Sequence, residues 1–289
     1  MKTQFIITAS AISILLSSVA YAGSTRENAV IEQSGNDNSS FVRQLGTDNN
    51  IRIDQIGDGN SNYSYQDGVR GETSVLQTGS NNSATTTQGG VDNVLTVNQN
   101  GNDNSTRVGQ SGGSTNMQTV NQNGNKNFAA SDQTGTGSTI KTLQNGSDNG
   151  SSVFQSGSND QFTSVQNGDG NYVHGNQSGT NGLINVDQNG NDNHAGGDQT
   201  GQSQVASFEQ NGMGNMAHSF QEGQENELGV VQNGSDNYQF ISQHGIRNQG
   251  DILQNGMNNG ATICQDGIEN VAEITQNGNG NRADVLQGI

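Results

Sequence analysis

The segment QNGNGNRADVLQ, residues 276–287, contains the repeat from which the architecture of this chain can be predicted. It begins and ends on glutamine, with glycine two places after the first glutamine and asparagine three places after that glycine. The two preceding segments, QDGIENVAEITQ and QNGMNNGATICQ, have the same spacing. Glutamine recurs at every eleventh position from Gln33 to Gln110 and, after one inserted residue, from Gln122 to Gln287. A period this regular is typical of a solenoid or repeat array.

The glycines distinguish a strand repeat from a helical one. Of the 24 periodic glutamines, 23 have glycine two residues later. Glycine costs roughly 1 kcal/mol relative to alanine inside a helix, so a helical repeat would lose on the order of 20 kcal/mol. The Q-x-G-x-x-N tract is typical of a turn, because Gly, Asn and Asp accept positive φ. The residues after it alternate as in a strand, with Asn281, Ala283, Val285 and Gln287 on one side and Arg282, Asp284 and Leu286 on the other.

Two repeats form one coil of the predicted fold. Side-chain volumes alternate between repeats, since Ile140, Phe162 and Phe208 fall on one face and Ala129 and Ala217 on the other. We therefore predict an all-β, amyloid-like cross-β fold. It is a β-solenoid of about 12 coils with 22 residues per coil, and its two strands per coil form two parallel sheets. The residue after glutamine is asparagine in every second repeat from residue 122 onward: Asn123, Asn145, Asn167, Asn189, Asn211, Asn233, Asn255 and Asn277.

The motif amides are predicted to stack as ladders in the core. An amide side chain both donates and accepts hydrogen bonds, so identical amides on successive coils can bond to one another. The predicted ladder glutamines are Gln33, Gln44, Gln55, Gln77, Gln99, Gln122, Gln144, Gln166, Gln188, Gln210, Gln232, Gln254, Gln276 and Gln287. The predicted ladder asparagines are Asn38, Asn60, Asn82, Asn104, Asn127, Asn149, Asn171, Asn193, Asn215, Asn237, Asn259 and Asn281. The predicted turn glycines are Gly35, Gly57, Gly101, Gly124, Gly146, Gly190, Gly256 and Gly278.

The chain divides into three predicted segments. Residues 1–22 have Lys2, an apolar run and a small-residue end, which predicts a secretory signal peptide. Residues 23–28 form a short leader, and residues 29–289 the repeat solenoid. We expect no transmembrane span, since no other apolar stretch has the required length. Repeats reach almost to both ends without a polar cap, and such ends are expected to stack end to end.

Charge and cysteine content exclude several classes of partner. The net charge is −17, or −18 once Lys2 leaves with the signal, which argues against nucleic acid and anionic membranes as partners. Leu, Ile, Val and Phe make up just under a fifth of the residues, a proportion typical of disorder. The periodic order along the chain points instead to a fold. The lone Cys264 provides no internal disulfide.

The repeats resemble those of curlins, the subunits of the extracellular amyloid fibres called curli. The curlin motif S-x5-Q-x-G-x2-N-x-A-x3-Q is followed by residues 138–155, except that Ser151 replaces the alanine. The resemblance covers residues 29–287, nearly the whole predicted mature chain. It implies a secreted subunit that polymerises at the cell surface into biofilm fibres. It also implies partners: further copies of the chain, another curlin subunit, and a dedicated outer-membrane secretion channel with accessory factors.

Other functions find less support in the sequence. Neither a nucleophile–base pair nor a catalytic carboxylate dyad is recognisable, so we expect no enzyme activity and no cofactor. His174, His194 and His218 fall on outward positions of three successive coils of one face. Strand geometry separates such positions by roughly 8 Å or more, which predicts surface residues and no metal site. The alternative function is a monomeric β-solenoid, either a surface adhesin or an ice-binding protein.

Overall fold

The chain folds into parallel strands that wind as a β-solenoid. The computed structural model describes residues 4–10 and 17–22 as strands and residues 26–288 in full. No helix occurs in these ranges, and the strands form two parallel sheets in a solenoid of about 12 turns with about 22 residues per turn. The predicted all-β solenoid with two parallel sheets is confirmed. By Cα proximity the chain divides into two compact units, Met1–Ser147 and Asp148–Ile289.

In the first unit, successive strands alternate between the two sheets. Odd-numbered strands pair in parallel in one sheet and even-numbered strands in the other. Between Gln110 and Gln122 the inserted residue is absorbed in the corner, so that Gln122 still pairs with Gln99. The strands are β1 (Gln4–Ser10), β2 (Ser17–Ala22), β3 (Asn28–Ser34), β4 (Ser39–Thr47), β5 (Asn50–Asp58), β6 (Ser61–Val69), β7 (Glu72–Ser80), β8 (Ser83–Val91), β9 (Val94–Asn102), β10 (Ser105–Gln110), β11 (Met117–Asn125), β12 (Phe128–Gln133) and β13 (Thr139–Ser147).

The second unit repeats the same winding. The strands from β14 to β24 each pair in parallel with the strand 22 residues later, so that Gln188, for example, lies beside Gln210. The strands are β14 (Gly150–Gln155), β15 (Gln161–Asn167), β16 (Tyr172–Thr180), β17 (Leu183–Asn191), β18 (His194–Gln202), β19 (Val205–Met213), β20 (Met216–Gln224), β21 (Glu227–Ser235), β22 (Tyr238–Ile246), β23 (Gln249–Met257), β24 (Gly260–Ile268), β25 (Val271–Asn277) and β26 (Arg282–Gln287).

The eleven-residue repeat predicts a turn of four residues and a strand of about seven, but most strands are longer. β19 has nine, because the ladder continues through Gln210 and Gly212 before the chain turns. Two residues make each corner: the motif glycine, with φ +127° at Gly212, and the residue before the motif asparagine. That second residue takes φ between 54° and 62° wherever it is not glycine, as at Asp236. The predicted four-residue turn is thus a compact corner inside a nearly continuous ladder.

The core between the sheets is thin and pairs large side chains with small ones. Phe162 and Phe208 are fully buried on the odd-numbered sheet of the second unit. A Cβ added to Gly175 of the facing strand would collide with the Phe162 ring, and a Cβ added to Gly197 would lie 3.4 Å from the Phe208 ring. The predicted complementarity of side-chain volumes is therefore confirmed for these residues, and it lets the sheets pack without a void.

The predicted signal segment contributes β1 and β2. β1 pairs in parallel with β3, and β2 pairs in parallel with β4. Signal cleavage concerns processing of the chain and stays a prediction. Removal of this segment would leave β3 and β4 as the first strands of the first unit.

Candidate functional site

The motif glutamines form hydrogen-bonded ladders in the core of each unit. Gln210 is fully buried, and its Nε2 donates to Oε1 of Gln232 at 2.8 Å while its Oε1 accepts from Gln188 at 2.8 Å. The second proton of Nε2 goes to the carbonyl oxygen of His194 on the facing sheet at 3.0 Å. Both protons and the carbonyl oxygen of this buried amide are therefore satisfied, so its burial costs little. The cross-sheet bond also ties the two strands of a coil together.

The same arrangement recurs at the predicted glutamine positions. In the first unit the bonds run from Gln33 through Gln55, Gln77, Gln99 and Gln122 to Gln144 at 2.5–3.0 Å, and Gln44 bonds to Gln66 in the other sheet. In the second unit they run from Gln166 through Gln188, Gln210, Gln232 and Gln254 to Gln276 at 2.8–3.1 Å. Gln287 on the edge strand β26 accepts from Gln265 and is only half-buried.

The motif asparagines hold the corners of successive coils together. Oδ1 of Asn215 accepts the backbone N–H and the side-chain Nδ2 of Asn237, and its own Nδ2 donates to the carbonyl oxygen of Gly234. The predicted asparagines Asn38, Asn60, Asn82, Asn104, Asn127, Asn149, Asn171, Asn193, Asn215, Asn237 and Asn259 are buried, whereas Asn281 is exposed at the β26 edge. Each side chain thus pairs backbone groups that a corner would otherwise leave unsatisfied.

The turn glycines are required by conformation and by space. Gly35, Gly57, Gly101, Gly124, Gly146, Gly190, Gly256 and Gly278 have φ between 113° and 127°, a region that L side chains rarely adopt. A Cβ at Gly190 would also collide with the carbonyl oxygen of Gly212 on the next coil. The sequence predicts the first requirement. The second becomes visible only when the coils are stacked.

The corners between the other strands have an asparagine column of their own, which includes Asn49, Asn93 and Asn116, and Asp160 replaces the asparagine in this column. This residue is fully buried, and its Oδ1 accepts the backbone N–H of Gly182 at 2.8 Å. Burial raises the pKa of Asp160 above its ordinary value, although hydrogen bonds from the backbone amides of Gly182 and Gly179 oppose the shift. A carboxylate therefore stands where most coils place a neutral amide, at a position with almost no water.

Asp160→Asn should stabilise the chain at neutral pH. A group whose pKa is raised on folding contributes stability that is present below the unfolded value and lost as pH rises through the folded value. Because the amide of asparagine does not ionise, the variant avoids this loss of stability. We expect its free energy of unfolding to be higher by about 1–3 kcal/mol at pH 7 and to depend less on pH. Guanidinium unfolding at pH 4 and pH 7 measures both. Asp236→Asn, at an exposed corner, is the control, and equal gains from the two substitutions would contradict the prediction.

An arrangement that the sequence did not predict joins His174, Asp198 and His218. The two imidazole centroids lie 5.6 Å apart, closer than the separation of roughly 8 Å expected from strand geometry. That expectation was wrong because Gly196, between the two histidines in register, leaves room for the rings to lean together. Within residues 26–288 these three side chains are the only group of three or more His, Cys, Asp or Glu close enough to share an ion.

The sequence matches no protein-family model, and a search of curated proteins gives no match. Within the described part of the chain there is no helix both long and apolar enough to cross a membrane.

Proposed function

We propose that this chain is the structural subunit of an extracellular, curlin-like amyloid fibre, in which copies stack end to end. Each junction would continue the glutamine and asparagine ladders from one copy to the next. Secretion, display at the cell surface, another curlin subunit and a dedicated outer-membrane channel with accessory factors belong to the same proposal. They rest on the resemblance of the repeats to those of curlins.

The equivalence of successive coils carries the proposal. Successive coils present their backbone groups and their motif glutamines to one another in the same register, so a coil of another copy can pair in the same way. Among the described residues, β25 and β26 each pair on one side only. The inward residues Ala283, Val285 and Gln287 of β26 are half-exposed, although their equivalents on β24 are buried. A further coil would cover them.

The opposite edge can be made available by processing. β1 and β2 cover β3 and β4, and they lie within the predicted signal segment. Cleavage would uncover two strands that carry the motif glutamines Gln33 and Gln44. Exposed strand edges recruit further strands, so the mature chain would have a donor edge and an acceptor edge of matching register.

Incubation of the purified chain from Gly23 onward tests the proposal. We expect fibres that bind thioflavin and are visible by electron microscopy. Their X-ray fibre diffraction should show a meridional reflection at about 4.8 Å, which is the spacing between strands. Val285→Lys places a charge on the inward side of the β26 edge and should block assembly, because inward charges at an edge prevent pairing. Leu286→Lys, on the outward side of the same strand, is the matched control and should assemble. Chains that stay monomeric for days at high concentration would favour a monomeric adhesin or ice-binding protein instead.

A further inference from the structure

Two histidines and an aspartate meet on the outward face of the even-numbered sheet in the second unit. His174 lies on β16, Asp198 on β18 and His218 on β20. In register, Gly196 of β18 lies between the two histidines. Asp198 is two residues farther along the same strand and thus on the same face. Side chains from three successive coils therefore converge at one place, which we call the His–Asp–His cluster.

A glycine makes this convergence possible. Equivalent positions two coils apart are separated by roughly 9–10 Å, yet the rings of His174 and His218 have centroids 5.6 Å apart and an interplanar angle of 0°. A Cβ at Gly196 would collide with the His174 imidazole. Because Gly196 has no side chain, the sheet surface has a recess there, and the two parallel imidazoles lie on either side of it.

The donor atoms of the cluster face one another. Nε2 of His174 lies 3.2 Å from Oδ1 of Asp198, and Nε2 of His218 lies 3.8 Å from Oδ2 of the same carboxylate. One ligand atom from each of the three side chains lies within 4.8 Å of the others. Tetrahedral coordination at about 2.0–2.2 Å places neighbouring ligand atoms about 3.3 Å apart. The His174–Asp198 pair already has this spacing, and separations of up to 4.8 Å within the cluster must close by at most about 1.5 Å to reach it.

We propose that the His–Asp–His cluster is a binding site for one divalent transition-metal ion, Zn²⁺ or Cu²⁺. Imidazole nitrogen and carboxylate oxygen together suit these ions, whereas Ca²⁺ and Mg²⁺ prefer oxygen ligands alone. The three side chains retain between 28% and 39% of their exposure, so solvent can enter and supply the remaining ligands. A bound ion would link three successive coils through their side chains.

The electrostatics of the cluster favour its metal-binding form. Burial lowers the pKa of His218, and the hydrogen bond with His174 lowers the pKa of Asp198. The pKa of the neighbouring His194, on the same face of β18, is lowered by burial and by the other two histidines. Metal ions require a neutral imidazole and an ionised carboxylate. The shifts of His218 and Asp198 are in the direction of these two forms, and the proposal itself rests on the geometry of the three side chains.

The remaining histidine of the chain provides a matched control. His244 lies on the same sheet face and contacts a carboxylate, with its Nε2 3.1 Å from Oε2 of Glu222. Within residues 26–288 it belongs to no group of three potential ligands. A histidine–carboxylate contact alone should not hold an ion firmly, so His244→Ala should leave binding unchanged.

Equilibrium dialysis against ZnCl₂, with metal content determined by mass spectrometry, tests the site in the untagged chain. We expect saturable binding of a single Zn²⁺ per chain. His174→Ala and His218→Ala should each weaken it by at least about tenfold, since loss of outer-shell partners alone costs that much. The electron paramagnetic resonance spectrum of bound Cu²⁺ should show nitrogen hyperfine coupling from the imidazoles. This coupling should decrease in the same two variants and stay the same in His244→Ala.

Circular dichroism checks whether each variant keeps its β-structure. Should either alanine variant lose it, Asp198→Asn provides the near-isosteric test and should also weaken binding. The proposal is overturned if the chain shows no saturable Zn²⁺ binding, if the folded cluster variants bind as tightly as the parent, or if His244→Ala loses as much affinity as they do. The measurement applies to single chains and fibres alike, so its outcome is independent of the proposed function.

Discussion

Gly212→Ala should lower the free energy of unfolding by at least about 3 kcal/mol. Gly212 adopts φ +127°, where an L side chain is strained, and an added Cβ would collide with the carbonyl oxygen of Gly234 on the next coil. Relief of that collision requires the two coils to separate at this corner. The separation would break the backbone ladder and the hydrogen bonds of Asn215 beside it.

Gly260→Ala is the matched control for the corner glycine. No heavy atom lies within 4 Å of a Cβ built at Gly260. Because alanine restricts the unfolded chain more than glycine does, this change should be neutral or stabilise by about 0.4–1 kcal/mol. Guanidinium unfolding followed by far-ultraviolet circular dichroism compares the variants. Similar midpoints for the two alanine variants would contradict the role assigned to the corner glycine.

Gln210→Leu should lower the free energy of unfolding by about 3–9 kcal/mol, although leucine has a similar volume and is more apolar. The substitution removes three hydrogen bonds and leaves buried partners on Gln188, Gln232 and the backbone of His194. Each buried polar group without a partner costs about 1–3 kcal/mol. The ladder would be interrupted in the middle of the second unit.

Gln202→Leu is the control for the ladder glutamine. Gln202 is exposed at a corner outside the ladder, so its replacement should change the unfolding midpoint little. Hydrogen exchange adds a local measurement, because Gln210→Leu should reduce protection of the neighbouring strands β17 and β21. Equal stability of the two leucine variants would show that the buried amides contribute no more than apolar side chains do.

The period in the sequence predicts most of this fold. Three features identify the strands: the eleven-residue spacing, the glycine two residues after each glutamine, and the alternation of residues after the turn. The 22-residue coil is identified by the asparagine that directly follows the glutamine in every second repeat from residue 122 onward. These features are local in sequence or repeat at a fixed interval. The break in spacing between Gln110 and Gln122 predicts the insertion too, and the structure absorbs it in a corner without changing the register.

The direction of the hydrogen bonds could not be predicted. Gln210 donates toward the following coil, whereas Asn215 accepts from it, so the two amide columns run in opposite senses. The cross-sheet bond from Gln210 to the backbone of His194 depends on the distance between the sheets. A pattern of residue types contains no information on either property. Both follow from how the side chains meet the backbone at a corner.

The His–Asp–His cluster shows a different limit of sequence-based reasoning. Strand geometry places every outward side chain at its ideal spacing, and on that basis the histidines are too far apart to share an ion. Gly196 was the available signal, because an outward glycine between two histidines in register lets both rings lean over it. Recognising it requires the coil register and the side-chain conformations together.

Intermolecular disulfide trapping tests end-to-end stacking most directly. If β26 of one copy pairs with β4 of the next in the register of the coils, Leu286 lies beside Arg43 of that copy at the strand spacing of about 4.8 Å, within disulfide range. The chain from Gly23 onward, with Cys264→Ser, Arg43→Cys and Leu286→Cys, should form covalent multimers as fibres grow. A control with Thr275→Cys in place of Leu286→Cys puts the second thiol on the other sheet and should not cross-link. Fibres without these multimers, or with equal cross-linking in the control, would contradict the account.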